Sequence, residues 1–356
     1  MKRTKVLLAA FAAMALGAVL APAPAAAEAA PKKSFGVAWS HYTGWEPWAY
    51  AEESGILKKW ADKYGIEIKL SLINDYVESI NLYTSGKFDA CVMTNMDALT
   101  IPAVGGVDST ALIVGDFSNG NDGIVTKKGK TVKDLKGQSL KLVELSVSHY
   151  LLSRGLSMNG MSEKDVKLVN TSDADIGSVF VSDPAGAAVT WNPTLMKARN
   201  AKGATLVFDS SSIPGEIMDL MVVKTGAPDA LKKALTGAWY ETMAVMSGRG
   251  KKSNEALASM AKTAGGTVAE FKAQLKTTRM FYTAAEAADF AKGAELKKTM
   301  EYVRTFSFDH GLYGAGAASK DLVGIEFADG SVLGDKKVLK LRFTDRWMRM
   351  AAEGKL

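Results

Sequence analysis

The stretch from Ile66 to Leu99, IEIKLSLINDYVESINLYTSGKFDACVMTNMDAL, decides how the chain is read. Ile66 to Ile73 alternates apolar and polar residues, the period of a strand. Tyr76 to Tyr83 has helical spacing and stops near Gly86. Phe88 to Met93 is a second strand, and Asn95 or Asp97 can cap the helix that follows. A strand, a helix and a strand in that order predict a parallel pair with the helix on one face.

The same alternation extends in both directions. Phe35-Gly36-Val37-Ala38-Trp39 reads as a buried strand, Pro47 opens a helix and Gly55 can end it. Thr110 to Gly115 is a further strand. A second α/β unit begins near Asp122, with strands at Ile124 to Thr126, Leu140 to Glu144, Lys167 to Val169, Ala187 to Thr190 and Thr205 to Phe208. Ser146 or Ser148 caps a helix between them. Leu220-Met221-Val222-Val223 is a strand near where the chain can return to the first unit. From Pro228 to His310 the pattern is almost wholly helical. The expectation is two α/β lobes joined by strand crossings, then a helical C-terminal region. Lobe one takes residues 34–122 and 225–356, and lobe two takes 123–224.

The N-terminus has the pattern of an export signal. Lys2, Arg3 and Lys5 precede Val6 to Leu20, a run without a charged or polar side chain, and Ala25-Ala26-Ala27 supplies small residues for cleavage. The run has fifteen residues, whereas a spanning helix needs about 20. Residues 1–27 are therefore expected to be a signal peptide, and the mature chain periplasmic. The single cysteine, Cys91, lies too far downstream to make a lipoprotein and rules out an internal disulfide. With three histidines there is little material for a metal centre, and none is expected. Losing Lys2, Arg3 and Lys5 lowers the formal charge from +6 to +3. That is too small to suggest nucleic acid without a localised basic stripe.

Polar residues gather where strands end. In open α/β sheets, ligands sit beyond the carboxyl ends of strands, near helix N-termini. Those places carry Ser40-His41-Tyr42-Thr43-Gly44-Trp45-Glu46-Pro47-Trp48, Asn74-Asp75-Tyr76, Thr94-Asn95-Met96-Asp97 and Asp116 to Asp122 in the first unit. In the second they carry Glu144-Leu145-Ser146-Val147-Ser148-His149, Thr190-Trp191-Asn192-Pro193 and Asp209-Ser210-Ser211, with Glu216 following. They are rich in carboxylates, amides and aromatics and contain no Lys or Arg. A sulfonate or nitrate site commonly uses Arg or Lys. A small planar cation wants the reverse, carboxylates for its N–H donors and aromatic faces for its charge. Guanidinium fits that description, being planar, charged and donor-only. Urea has a similar shape but no charge, so a buried carboxylate beside it stays uncompensated.

Each residue also has a plainer reading. Asp75, Asp97 and Ser146 can equally be helix caps. Asp116 and Asp122 can fix turns with Gly120 and Gly123. Trp39 and Trp60 read as core, while Trp45, Trp48 and Trp191 flank loops and suit a cleft. Glu144, ending a strand that reads as buried, needs a partner. His149 reads as a hydrogen-bonding helix residue, and His310 lies where no cleft is signalled.

In this order, these segments resemble one family. Gly44-Trp45-Glu46-Pro47-Trp48, Ile73 to Ile80, Thr94 to Leu99, Gly105-Gly106-Val107-Asp108, Ile113 to Gly123, Ser146 to Leu152, Asn170 to Asp175, Thr190-Trp191-Asn192-Pro193, Ile213 to Met218 and Gly237 to Thr242 are similar to the periplasmic binding component of ABC importers encoded beside urea carboxylase. That family lies within the nitrate/sulfonate/taurine-like group. The resemblance implies a type II periplasmic-binding-protein fold: α/β, two-lobed, with mixed sheets, flanking helices and a hinge. It implies urea or guanidine as solute, since several of the associated carboxylases act on guanidine. Asp183-Pro184-Ala185-Gly186 departs from the expected helix-to-strand connection.

The expected mechanism is capture by hinge closure. Lobe one supplies Trp45, Asp75, Asn95 and Asp97, lobe two supplies Glu144, Ser146, Trp191 and Glu216, and Tyr42 and Asp122 complete the expected ligand-binding set. Solute bridging both sets favours the closed form, because only that form makes both sets of contacts. The closed protein, expected to be a monomer, then docks on a membrane permease with a cytoplasmic ATPase. No cofactor and no catalytic group is expected. Three rivals remain. An anion-binding protein of the same fold predicts a basic side chain in the cleft, with Arg154 the nearest candidate. A thiamine-precursor pyrimidine enzyme predicts reactive His and Cys. A receptor for a sensor kinase predicts nothing different in the cleft.

Overall fold

In a computed structural model, residues 32–356 are described; the expected signal peptide lies outside them. Fourteen strands are present among these residues: β1 (Ser34–Trp39), β2 (Glu67–Leu72), β3 (Ala90–Thr94), β4 (Ser109–Ser118), β5 (Asp122–Thr126), β6 (Ser139–Leu142), β7 (Lys167–Asn170), β8 (Ala187–Trp191), β9 (Thr205–Asp209), β10 (Met218–Lys224), β11 (Thr278–Met280), β12 (Gly324–Glu326), β13 (Val332–Leu333) and β14 (Leu339–Phe343). They form two sheets. The larger runs β13-β12-β14-β4-β10-β3-β1-β2, with β11 against β4, and the smaller runs β7-β6-β8-β5-β9.

The β-α-β unit forms as read. β1 pairs parallel with β2 and β3, and the helix Tyr76–Thr84 connects β2 to β3. β3 is wholly buried, as expected of a strand covered on both faces. Asp75 caps that helix by accepting the Glu78 N–H at 2.9 Å. The next helix is capped by Thr94 rather than by Asn95 or Asp97: the Thr94 hydroxyl accepts the Asp97 N–H. Asp97 is thereby left with its carboxylate free for another task.

The chain crosses between the sheets twice, from Ser118 to Asp122 and from Asp209 to Met218. The expected return to lobe one at 225 therefore comes earlier. β10 already belongs to the larger sheet, antiparallel to both β3 and β4. The C-terminal region also differs from the expectation. It is helical to Asp309 apart from the short β11, but then adds β12, β13 and β14 to the edge of the larger sheet beside β4. β14, Leu339-Lys340-Leu341-Arg342-Phe343, does alternate apolar and polar residues, whereas β12 and β13, at three and two residues, are too short to show a period.

The helix Asp229–Ser247 packs on the helix Ile56–Lys63. Gly237 permits that close approach, since a Cβ there would run into the Trp60 ring. Trp239 from the same helix stacks on Trp48 with ring centroids 5.0 Å apart. This aromatic pair backs the end of the larger sheet where the functional residues collect. Among the described residues, no helix is long and apolar enough to cross a membrane.

Candidate functional site

Strand register brings four acids to one place. Asp219 at the start of β10 sits opposite Thr94 of β3 on one side and Asp116 of β4 on the other. Asp122 at the start of β5 sits opposite Trp191 of β8. Asp97 follows from the first turn after β3. All four carboxylates are at most 3% exposed, and no ion pair with Lys or Arg is formed by any of them among the described residues.

Between the lobes lies a cavity lined by Tyr42, Trp45, Tyr76, Thr94, Asp122, Val147, Trp191 and Asp219. Its volume is about 10 Å³, the room of roughly one water, so the lobes are nearly shut. The rings pack edge and face around it. Trp45 lies 5.0 Å from Tyr42 and 5.5 Å from Tyr76, and Tyr76 meets Trp191 of the other lobe edge-on at 5.4 Å. No Lys, Arg, His or Cys lines it.

The acids are partly held. Tyr42 Oη donates to Asp116 Oδ1 at 3.1 Å. Tyr76 Oη donates to Asp97 Oδ2 at 2.6 Å, which also accepts from the Thr94 hydroxyl and from the Val147 N–H of lobe two. The Ser118 hydroxyl donates to Asp122 Oδ2 at 2.6 Å. Asp97 Oδ1, Asp116 Oδ2 and both oxygens of Asp219 are left without a well-formed hydrogen bond, as is the Trp45 indole N–H. Buried acceptors in this state are costly and are normally matched by a partner.

Burial is the main cause of the resulting acidities. It pushes Asp97 up to about 6 against the hydrogen bonds from Tyr76, Thr94 and Val147. It pushes Asp116 up to about 7, with the charge of Asp122 adding to it, and Asp122 up to about 7, with Asp97 adding. Asp219 is raised well above the carboxylate range by burial and then by Asp116 and Asp122. Like charges crowded in a dry site resist ionising together. Among the described residues, no three His, Cys, Asp or Glu side chains converge as a metal site would require.

The expected site residues divide into two groups. Tyr42, Trp45, Asp122 and Trp191 line the cavity, and Asp97 joins them through Tyr76. The others stand elsewhere. Asp75 is half-buried at the lobe seam, capping its helix and accepting from Ser172. Asn95 is buried but occupied, bonding Glu216 O and the Met218 N–H, and so fastens the second crossover. Ser146 caps the helix Val147–Met158, where its oxygen accepts the Ser148 N–H. Glu144 is half-buried in the turn after β6, which ends at Leu142, so it does not occupy the buried strand end expected of it. Glu216 faces Arg154, bonded at 2.8 and 2.9 Å, and accepts from Tyr150. Arg154 is thus spent on Glu216 and on the Tyr302 ring 4.6 Å away, outside the cavity lining.

Local pattern does not single out Asp219, and it leaves Asp116 between a strand-end ligand group and a turn residue. A signal existed: each is a lone carboxylate inside an apolar run, Ile217-Met218-Asp219-Leu220-Met221 and Ile113-Val114-Gly115-Asp116-Phe117. A charge in a buried strand needs a partner. Gly44 adds a steric signal. A Cβ there would collide with Asp116 Oδ2 and come within 2.6 Å of Tyr42 Cε1. Gly44→Ala is therefore expected to destabilise the protein by about 1–3 kcal/mol through overpacking, read by chemical unfolding. An unchanged midpoint would mean that Asp116 and Tyr42 move aside freely.

Residues 41–231, more than half of the chain, match the family described as NMT1/THI5 like. The chain belongs to the NMT1/THI5-like family. The match spans both crossovers and every cavity-lining residue. A protein of Brucella abortus (strain 2308), named only as a binding protein, is 27% identical over 186 residues, 52% of this chain and 55% of its own length. The match thus spans about half the length of such curated relatives. Solved structures show the fold more fully. The alkanesulfonate-binding protein of Xanthomonas axonopodis pv. citri, bound to MOPS, superposes with a TM-score of 0.65 at 15% identity, covering 80% of this chain and 96% of that one. The periplasmic nitrate-binding protein of Synechocystis PCC 6803 gives 0.64 at 13% identity, covering 91% and 89%. The periplasmic aliphatic sulphonate binding protein of Escherichia coli gives 0.62 at 17%, covering 78% and 93%. At these identities the likeness is one of fold, and the NMT1/THI5-like chain described here has the two-lobed α/β fold of type II periplasmic binding proteins.

Proposed function

We propose that this chain is the periplasmic solute-binding component of an ABC importer, and that it captures a small planar nitrogen cation, guanidinium before urea, between its lobes. The observation that carries this reading is the buried set Asp97, Asp116, Asp122 and Asp219 around an aromatic cavity without a basic lining residue. A guanidinium supplies what those acids lack, a charge that never leaves and N–H donors in a plane. Tyr42, Trp45, Tyr76 and Trp191 offer faces and edges to the delocalised charge. Urea would satisfy some acceptors but leave the acids uncompensated.

The solute needs no chemistry done to it. Closure supplies affinity, because Asp122, Val147 and Trp191 join the lobe-one residues around the cavity only when the lobes meet. Export would rest on residues 1–27, and delivery on a permease. The solved proteins of this fold that take sulfonates or nitrate make an anion the second reading. The engagement of Arg154 by Glu216 speaks against it.

Calorimetry and thermal shift with guanidinium, urea, taurine, nitrate and a thiamine pyrimidine precursor test the reading. A solute present at a hundred times its dissociation constant should add about 2.7 kcal/mol. Guanidinium is expected to give the largest shift. A shift from the anions alone overturns the proposal.

A further inference from the structure

No residue from Asn170 to Asp175 itself lines the cavity, yet the segment meets lobe one through two polar contacts. The Ser172 hydroxyl donates to Asp75 Oδ2 at 3.0 Å. The Tyr76 N–H donates to Asp173 Oδ1 at 3.0 Å. These residues begin two helices, Tyr76–Thr84 in lobe one and Asp173–Ser182 in lobe two. A helix start holds unpaired N–H groups, and here the lobe-one helix draws on lobe two for one of them. Asp173 serves the first N–H of the lobe-one helix. Ser172 stands at the cap position of its own helix but makes no capping bond there, because its hydroxyl is turned to Asp75. Both bonds run from protein to protein, so neither needs a solute.

Tyr76 connects this seam to the cavity. Its ring lines the cavity and its hydroxyl holds Asp97, while its N–H is held by Asp173, only 8% exposed. Asp97 in turn accepts the Val147 N–H from lobe two at 3.2 Å. One lobe-one residue is thus gripped at its backbone by lobe two and at its hydroxyl by an acid that lobe two also grips.

We propose that Asp75–Tyr76 and Ser172–Asp173 form a clasp that closes the lobes without solute and sets how fast a captured solute escapes. This rests on capture between lobes, as proposed above, but not on which solute is captured. Asp173 acts as a positioning residue through Tyr76.

The test uses the mature protein with Asp173→Ala, Ser172→Ala and, as the conservative variant, Asp173→Asn, whose amide oxygen can still accept the Tyr76 N–H. Small-angle scattering of solute-free protein reads closure, and stopped-flow tryptophan fluorescence with guanidinium reads escape, Trp45 and Trp191 being the reporters. Solute-free wild type is expected to scatter as the closed form, and Asp173→Ala as a more extended one. The guanidinium dissociation rate should rise about tenfold in Asp173→Ala, the scale of a buried N–H left unpaired, and a few-fold in Ser172→Ala. Association should change less, and Asp173→Asn should stay within about threefold of wild type. An extended solute-free wild type, or an Asp173→Ala protein as compact as wild type, overturns the clasp. So does a dissociation rate unchanged in both alanine variants. Ser172 is only half-buried, so Ser172→Ala decides the matter if Asp173→Ala does not fold. Should guanidinium fail to bind, the solute assignment falls, and the scattering measurement still decides the clasp.

Discussion

Asp219→Asn is expected to weaken guanidinium binding by about a thousandfold while raising the stability of the solute-free protein. The two effects share one cause. Asp219 is 2% exposed, both its oxygens lack a well-formed hydrogen bond, and it faces Asp116 across the β4–β10 register. In the empty protein it is a buried acid beside other acids, and an amide removes that conflict. In the loaded protein the same carboxylate would balance the guest's charge. Deleting one partner of a buried ion pair costs about 3–5 kcal/mol. Calorimetry of guanidinium and urea, with thermal unfolding of both proteins, checks this. Urea affinity should fall far less than guanidinium affinity. Equal losses for the two solutes would mean that charge pairing is not what Asp219 supplies.

Guanidinium affinity should rise steeply from pH 5 to pH 8, with protons released on binding. Asp97 is pushed up to about 6, and Asp116 and Asp122 up to about 7, each chiefly by burial. At pH 5 these acids are largely protonated and a cation must displace their protons; at pH 8 they are largely ionised and ready. Each proton displaced contributes up to tenfold per pH unit. Guanidinium does not titrate in this range, so the dependence belongs to the protein. Calorimetry in buffers of different ionisation enthalpy counts the protons released. A flat profile with no proton release would remove the cation from consideration.

Folding without solute should show the opposite trend. A carboxyl group whose pKa is higher folded than unfolded stabilises the fold fully below its unfolded value near 4. That contribution is lost as pH rises through the folded value. The acids in this site should therefore make the empty protein less stable between about pH 4 and pH 7. Surface acids such as Asp183, lowered by Lys141, work the other way. The informative quantity is accordingly the difference between wild type and Asp219→Asn, which should widen as pH rises and level off above the highest of these values. Chemical unfolding at several pH values measures it.

Much of this was legible in local pattern, because local pattern reflects local physics. The period-two run at Ile66 to Ile73 and the helix after it appear where read. Tyr42 and Trp45 after β1 and Asp122 at the start of β5 reach the cavity because in such a sheet ligand sites form at strand ends. Asp75 and Ser146 illustrate what local reading cannot separate. Each is a good cap and each was also a plausible ligand group, and both structures of that choice look alike in one dimension. Glu216 and Arg154, sixty-two positions apart, satisfy each other, and nothing in either neighbourhood announces the other.

What the sequence determined by itself was the alternation of strands and helices, and a supply of acids and indoles without bases at the strand ends. Both follow from side-chain chemistry over a few residues. The tertiary structure alone decided which acids meet. Asp219 enters beside Thr94 and Asp116 only because β10 returns antiparallel between β3 and β4, and Asp122 joins Trp191 only through the register of β5 with β8. A pairing register is a long-range outcome of burying whole sheets, so no short window of residues carries it.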